Sequence, residues 1–459
     1  MNNICFLKYL NWWKLACFLR EASLKQINQS GKKKNNTVAM KWMLVICFLL
    51  MQRVATVAQD RQDLTLEACY EQAKANYPLI KKRALINKSK EYSLENAEKG
   101  YLPQLSINGQ ATYQSAVTEI PIAVPGVQVP QLKKDQYKIY GEINQSIYDG
   151  GEIKQLKETH RTVSAIEEQR LEIELYQLKE RINQLFFGIL LIQEQLQQNS
   201  LLIKDINLGL SKIQGAIDNG TALKSNADVL KAERLNALQQ TIDMKSRRKA
   251  YIEMLGLFMH QSLDTAIALV KPTPILATSD IKRPELGLFN YQLHNLDVQE
   301  NAINARNRPK LDFFFQGGYG RPALNILKPG FEAYYIGGVR VRWNIAGLYT
   351  LKKEKAILEN DRIAILADKE TFLFNTNYQM KQEQAVIDKY SDLLKSDDEI
   401  IALREKVKST SIAQLEHGVI TTSDYLREVN AEDEARQNKI VHEIQLLLSQ
   451  YNNKYTQGN

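Results

Sequence analysis

Cysteine is nearly missing. Of four in 459 residues, Cys5, Cys17 and Cys47 precede residue 59 and only Cys69 follows, so no intrachain disulfide can form beyond residue 58. The five histidines, at 160, 260, 294, 417 and 442, include no pair at a spacing such as i, i+4 that would hold a metal on one helix face. No phosphate-cradling loop is present, and Gly317-Gly318 and Gly337-Gly338 lie inside strand patterns, where glycine permits a bend or close packing. The one apolar run worth testing, Trp42 to Met51, has ten residues, against roughly 20 needed to span a bilayer as a helix. These absences point away from an enzyme, a metal or cofactor site and a bundle of membrane helices.

Net charge is also missing once the N-terminus is set aside. The formal charge is +8, but residues 1–58 hold nine of the 60 Lys and Arg and one of the 52 Asp and Glu. The remainder carries 51 of each sign. That removes the electrostatic argument for a nucleic-acid partner. Lys41, the run 42–51 and the small residues Thr56 and Ala58 make a secretory signal over 40–58, cleaved after Ala58. Residues 1–39, with Trp12, Trp13 and Lys32 to Lys34, then read as an upstream extension from a mis-called start; an amphipathic membrane-surface segment is the competing reading.

What is there repeats. Pro78 and Pro103 stand 25 residues apart, as do Pro284 and Pro309, and Pro103 and Pro309 each open a Pro-x-Leu step into a strand. A second strand ends in a turn at Tyr-Asp-Gly-Gly (148–151) or Asn-Ile-Ala-Gly (344–347), and a long helical pattern follows to Gly220 or Gly418. Gly151 and Gly347 are 196 residues apart, and so are Asp228 and Asp424. An internal duplication is therefore expected. The first repeat, 59–270, contains strands near 104–118 and 135–148, a long helix 151–219 and a return helix 225–262. A linker over 271–285, marked by Pro272, Pro274 and Pro284, leads to the second, 286–459, with strands near 310–320 and 332–345, a long helix 347–417 and a return helix 423–452.

The strands alternate: Leu105, Ile107, Ala111 and Tyr113 oppose Ser106, Asn108, Gln110 and Thr112, and Tyr335, Val339, Val341 and Trp343 oppose Arg340, Arg342 and Asn344. A membrane β-barrel and a half-buried sheet share this period. The helices separate the two readings. From 171 to 217, positions at strict four-three spacing are apolar except Asn199, a coiled-coil seam. The second long helix carries two stripes, Val386, Leu393, Ile400 and Val407 beside Met380, Ile387, Leu394 and Ile401, as a helix packed between two neighbours requires. At about 1.5 Å per residue, 151–220 runs roughly 100 Å, which suits a tube rather than a globule.

The Leu-Pro-Gln-Leu and Arg-Pro-Lys-Leu strand openings, the turn at 148–151, and the tips NGTALKSNADVL (219–230) and HGVITTSDYL (417–426) together resemble the TolC family of outer-membrane efflux proteins, over Leu64 to about Tyr455. The resemblance implies an α+β membrane protein in which a homotrimer closes one twelve-stranded barrel in outer-membrane lipid and continues it as a coiled-coil α-barrel. Closure is also a physical demand, since four strands cannot form a barrel and a small one needs about eight. It implies an exit duct of a tripartite efflux pump or type I secretion system in the outer membrane of a Gram-negative bacterium, reaching into the periplasm, with a periplasmic adaptor and an inner-membrane pump as partners. A periplasmic coiled-coil scaffold without a pore is the alternative. Cargo stays open among drugs, metal ions, bile salts and secreted protein.

Two sets of site residues follow. Gly220, Ala222, Leu223, Gly418, Val419, Ile420 and Thr421 form helical tips expected to dock the adaptor, with Ser225 and Ser423 available to cap the returning helices. Asp397, Asp398, Glu399 and Arg404, with Lys406 and Lys408 nearby, are candidates for an entrance gate; the competing reading is a solvated helix face. The signal assignment is checked by mass spectrometry of the outer-membrane form: the mature chain is expected to begin at Gln59, and retention of any of residues 1–39 refutes the mis-called start.

Overall fold

The computed structural model describes residues 64–118, 132–275 and 280–459. The signal and extension read at 1–58 lie outside the described residues. Helix α1 (Leu66–Asn76) starts where the Thr65 hydroxyl accepts from Ala68 N at 3.2 Å, and ends at Tyr77, which is extended because Pro78 follows. After one 3₁₀ turn comes α2 (Lys81–Glu98), then β1 (Gln104–Tyr113) and β2 (Asp135–Tyr148). Next are α3 (Glu152–Tyr176), α4 (Leu178–Asp218) and α5 (Lys224–Met259). Beyond the linker, α6 (Pro284–Arg306) has proline at its first position, where a missing N–H costs nothing. β3 (Lys310–Arg321), β4 (Glu332–Arg342), α7 (Gly347–Glu416) and α8 (Thr422–Gln457) complete the described residues. The order helix, strand, strand, long helix, returning helix thus appears on either side of the linker.

The four strands form one antiparallel sheet in the order β1-β2-β3-β4. β1 stops at Tyr113, short of 118, because the last full pair is Tyr113 with Asp135 and only Gln114 N to Lys134 O continues the ladder. β4 ends at Arg342, since Trp343 turns its indole N–H to Asn307 O at 3.0 Å. The long helix expected over 151–219 is interrupted at Gln177, whose φ −61° and ψ −17° tighten the turn towards 3₁₀ geometry. Here Tyr176 stacks on Tyr455 at 4.9 Å and its hydroxyl donates to Tyr455 O at 2.7 Å. Its counterpart α7 runs 70 residues without a break, roughly 105 Å at 1.5 Å per residue.

Away from the sheet the helices pack in the order α7, α8, α4, α5; nearer to it the order is α2, α3, α6, α7. Every seam position from Leu171 to Ile217 is buried or half-buried. The polar exception is part of the packing: Asn199, fully enclosed, donates to Ala237 O at 2.8 Å and Thr241 Oγ1 at 2.7 Å on α5. One core gathers Leu66, Cys69, Phe186, Phe187, Ile252 and Tyr451, and burial pushes the Cys69 thiol up to about 12, which keeps it protonated and inert. A second core nearer the tips joins Ile206, Leu230, Tyr425 and Val429.

Gly209 marks the closest approach of α4 to α8: a Cβ there would stand 2.6 Å from the Tyr425 ring, whose hydroxyl reaches Asp205 O at 3.2 Å. Gly209→Ala is expected to destabilise by about 1–3 kcal/mol through overpacking, outweighing alanine's better helix propensity of about 1 kcal/mol. Thermal melting followed by helical circular dichroism checks the sign.

Candidate duct wall and helical tips

Apart from the Tyr148–Leu311 pair at the helix-side end of β2, all three ladders pair odd residues with odd and even with even: Leu105 faces Ile143, Ile143 faces Phe315, and Phe315 faces Gly337. The sheet therefore has one apolar face. Leu105 and Ile107 are 76% and 84% exposed on it, and Ile139, Phe313, Tyr335 and Val341 share that exposure. Near the inter-strand turns the face is aromatic, with Phe331 stacked on Tyr319 at 5.6 Å and tilted against Tyr137 at 6.3 Å. Aromatic girdles of this kind flank the lipid-facing band of membrane barrels.

The opposite face is polar and connected. Arg342 donates to Asp312 at 2.8 Å, Gln316 donates to Glu142 at 2.9 Å, and Arg340 lies 4.4 Å above the Phe314 ring and 3.6 Å from Glu142. Among the described residues neither β1 nor β4 has a partner along its outer edge. No helix among them is long and apolar enough to cross a membrane.

At the far end the tips reverse the chain. Thr221 N to Ala216 O at 2.8 Å with Gly220 N to Ile217 O at 2.9 Å, and Val419 N to Gln414 O at 2.8 Å with Gly418 N to Leu415 O at 3.1 Å, are paired Schellman closures. Gly220 and Gly418 have φ +74° and +68°, and a Cβ at either would touch nothing within 4 Å. The left-handed backbone, not crowding, asks for glycine there.

The capping residues differ from those expected. Thr421 caps α8 in a reciprocal box with Asp424 (Asp424 N to Thr421 Oγ1 at 3.1 Å, Thr421 N to Asp424 Oδ2 at 3.2 Å), leaving Ser423 inside the first turn. The Thr421 hydroxyl, then its N–H, hold the Asp424 carboxyl below its ordinary range. α5 starts after Leu223 with no side-chain cap, so Ser225 has no such role either. Of the four apolar tip residues, Leu223 and Val419 are 72% and 69% exposed, whereas Ala222 is half-buried and Ile420 packs on the tip-side core.

The acidic cluster of α7 turns towards α8 in part. Asp397 is buried, with Oδ2 2.8 Å from His442 Nδ1, and Asp398 pairs with Lys439 at 2.5 Å. Arg404 stands 3.7 Å from Glu428, while Glu399 and Lys406 are exposed. Lys408 bridges two helices, reaching Asp205 on α4 at 2.8 Å and the buried Glu432 on α8 at 3.2 Å; Glu432 also takes Arg436. Burial opposes the Lys408 charge, but the two carboxylates outweigh it and raise its pKa. Sequence reading missed Asp205 and Glu432. A signal existed: Glu428, Glu432, Arg436, Lys439 and Glu443 recur at helical spacing on α8. Among the described residues no group of His, Cys, Asp and Glu could hold a metal.

A sheet with one apolar and one polar face, set on paired helical hairpins of this length, is the architecture of the outer-membrane channel proteins. No protein-family model and no curated protein matches the sequence. Solved structures do match. CusC, studied for its folding and transmembrane channel formation, shares 12% identity at a TM-score of 0.64, covering 87% of this chain and 93% of its own. The outer-membrane protein VceC of Vibrio cholerae shares 12% at 0.61, with 86% and 96% covered. The open-state MtrE channel of Neisseria gonorrhoeae shares 12% at 0.60, with 86% and 89% covered. These are TolC-family outer-membrane channels, so the resemblance read from the sequence holds at the level of the fold.

Because raised folded-state pKa values stabilise below the unfolded value, the Lys408 contribution is present at neutral pH and is lost as pH rises through its folded pKa. Lys408→Gln is expected to cost about 1.5–3 kcal/mol, the worth of hydrogen bonds to charged groups. Thermal melts at neutral and alkaline pH check it: the difference between parent and variant should shrink at the alkaline end.

Proposed function

We propose that three copies of this chain close a twelve-stranded barrel in the outer membrane and continue it towards the inner membrane as a helical tube, an exit duct that conducts cargo passively. The observation that carries this reading is the sheet: two open edges, one apolar face and one polar face. Unpaired edge N–H and C=O groups in lipid cost several kcal/mol each, so such a sheet must find closure there. The β1 edge of one copy meeting the β4 edge of the next supplies it. Likewise α5 and α7, the outer helices of the tip-side wall, face each other across copies; Leu235, Ile242 and Leu257 on α5 and Val386, Leu393 and Ile400 on α7 are exposed in the single protomer.

The outward apolar pair Leu223 and Val419 supports docking of a periplasmic adaptor at the tips, with an inner-membrane pump supplying the energy. The charged contacts of Asp397, Asp398 and Arg404 lie along the α7–α8 seam, a position suited to controlling the entrance. A scaffold without a pore accounts for the helices and leaves the two-faced sheet unexplained.

Sedimentation in mild detergent and planar-bilayer recording test the reading together. A conducting trimer is expected, and a folded monomer, or a trimer that passes no current, refutes it. Val419→Asp should leave trimer and conductance intact and abolish export in cells; full export by that variant removes the docking role of the tip.

A further inference from the structure

The polar face of the sheet is not uniformly balanced. Towards the helices its charges are matched: Arg342 with Asp312 at 2.6 Å, Lys310 with Glu152 at 2.5 Å, and Arg340 within 3.6 Å of Glu142. At the turn end Glu332 is taken by Lys328 at 2.9 Å. Two lysines remain. Lys138 sits on β2 between Gln110 of β1 and Gly320 of β3, and a Cβ at Gly320 would stand 2.9 Å from Lys138 Cγ, so the glycine leaves the lysine stem its room. Lys134 stands in phase with Lys138 just before β2, where Gln114 N donates to Lys134 O at 2.9 Å and carries the ladder one step past the Tyr113–Asp135 pair. Among the described residues no carboxylate lies within ion-pair distance of either. Residues 119–131, outside the described residues, hold one acid, Glu119, which can offset at most one of the two.

We propose that Lys134 and Lys138 form an anion-favouring collar at the outer mouth of the duct. This rests on the trimeric barrel reading above. Three copies each set one or two uncompensated lysines around one opening, and a polar lumen walled by low-dielectric protein and lipid focuses their field into the water. The field reaches about 10 Å at 0.1 M salt and about 30 Å at 0.01 M. A wide barrel is therefore selective mainly in dilute salt. The collar biases passage and does not bind: anionic solutes are drawn into the last segment of the path, and cations are slowed there.

The test is the reversal potential of the full mature protein in planar bilayers under a dilute KCl gradient, where potassium and chloride differ little in intrinsic mobility. The parent is expected to prefer chloride, with the preference fading as salt is raised. Lys134→Gln with Lys138→Gln should bring the reversal potential towards zero, and Lys134→Glu with Lys138→Glu should invert its sign. Lys133→Gln, one residue out of phase with this face, should shift it much less. An unaltered reversal potential in the double glutamate variant overturns the collar, as does an equal shift from Lys133→Gln. A parent that passes no current overturns the duct reading and the collar with it, so the two failures are told apart.

Discussion

A β-strand sends successive side chains to opposite faces, and the sheet depends on all four strands keeping the same phase. A slip of one residue in any ladder would carry a row of isoleucine, phenylalanine and valine to the polar side. The three registers hold that phase until the helix-side end of β2, where the pairing shifts between Ser146 and Tyr148. The extra residue there re-aims the strand as it leaves the sheet, a usual place and use for a bulge. Beyond it Asp149 accepts from Gly151 N at 2.9 Å and Ile153 N at 2.7 Å, so the turn that ends the strand also caps α3. The sheet and the helical part are thus joined through a short turn held by the Asp149 carboxylate.

The helical wall obeys a different economy. α4 lies between α5 and α8 and buries a continuous apolar seam, so the protomer meets its needs internally on that side. α7 has two stripes and one main neighbour, α8, along its tip-side half. Met380, Ile387, Leu394 and Ile401 are half-buried towards α8, while Val386, Leu393, Ile400 and Val407 remain exposed. Charged contacts thread the same region. Lys408 ties α7 to both α4 and α8 through partly enclosed groups, of which Glu432 is the most buried, and so helps to hold the three helices in register.

Much of this was legible because it depends on period. Strand alternation, the four-three seam and the second stripe of α7 are written in residues 2, 3.5 or 7 apart, and solvent or its absence enforces them. Asn199 broke the pattern in the sequence and proved to be a buried donor between helices. What was not legible depends on competition between near neighbours. Ser423 and Thr421 are both able caps, and only the position of Asp424 three residues after Thr421 decides between them. Ile420 and Val419 are chemically alike, yet one turns inward and the other outward. Likewise nothing in the run 397–399 says that Asp397 meets His442 while Glu399 stays in water. Those choices are made by helices distant in sequence.

The unequal burial of the two long hairpins bears on how such a chain comes to be folded. Only Thr376, Asp397, Ser411 and Leu415 of the 70 residues of α7 are buried within one protomer, whereas α4 draws on tertiary contacts along its whole length. Helices gain most of their stability from packing of an apolar face, so in the proposed trimer α7 would complete its ordering only when a second copy arrives. Its maturation then becomes a matter of encounter, dependent on how many new chains are present together. A sparse supply would leave α7 frayed and open to proteolysis, and synthesis in bursts would favour survival over the same number of chains delivered slowly.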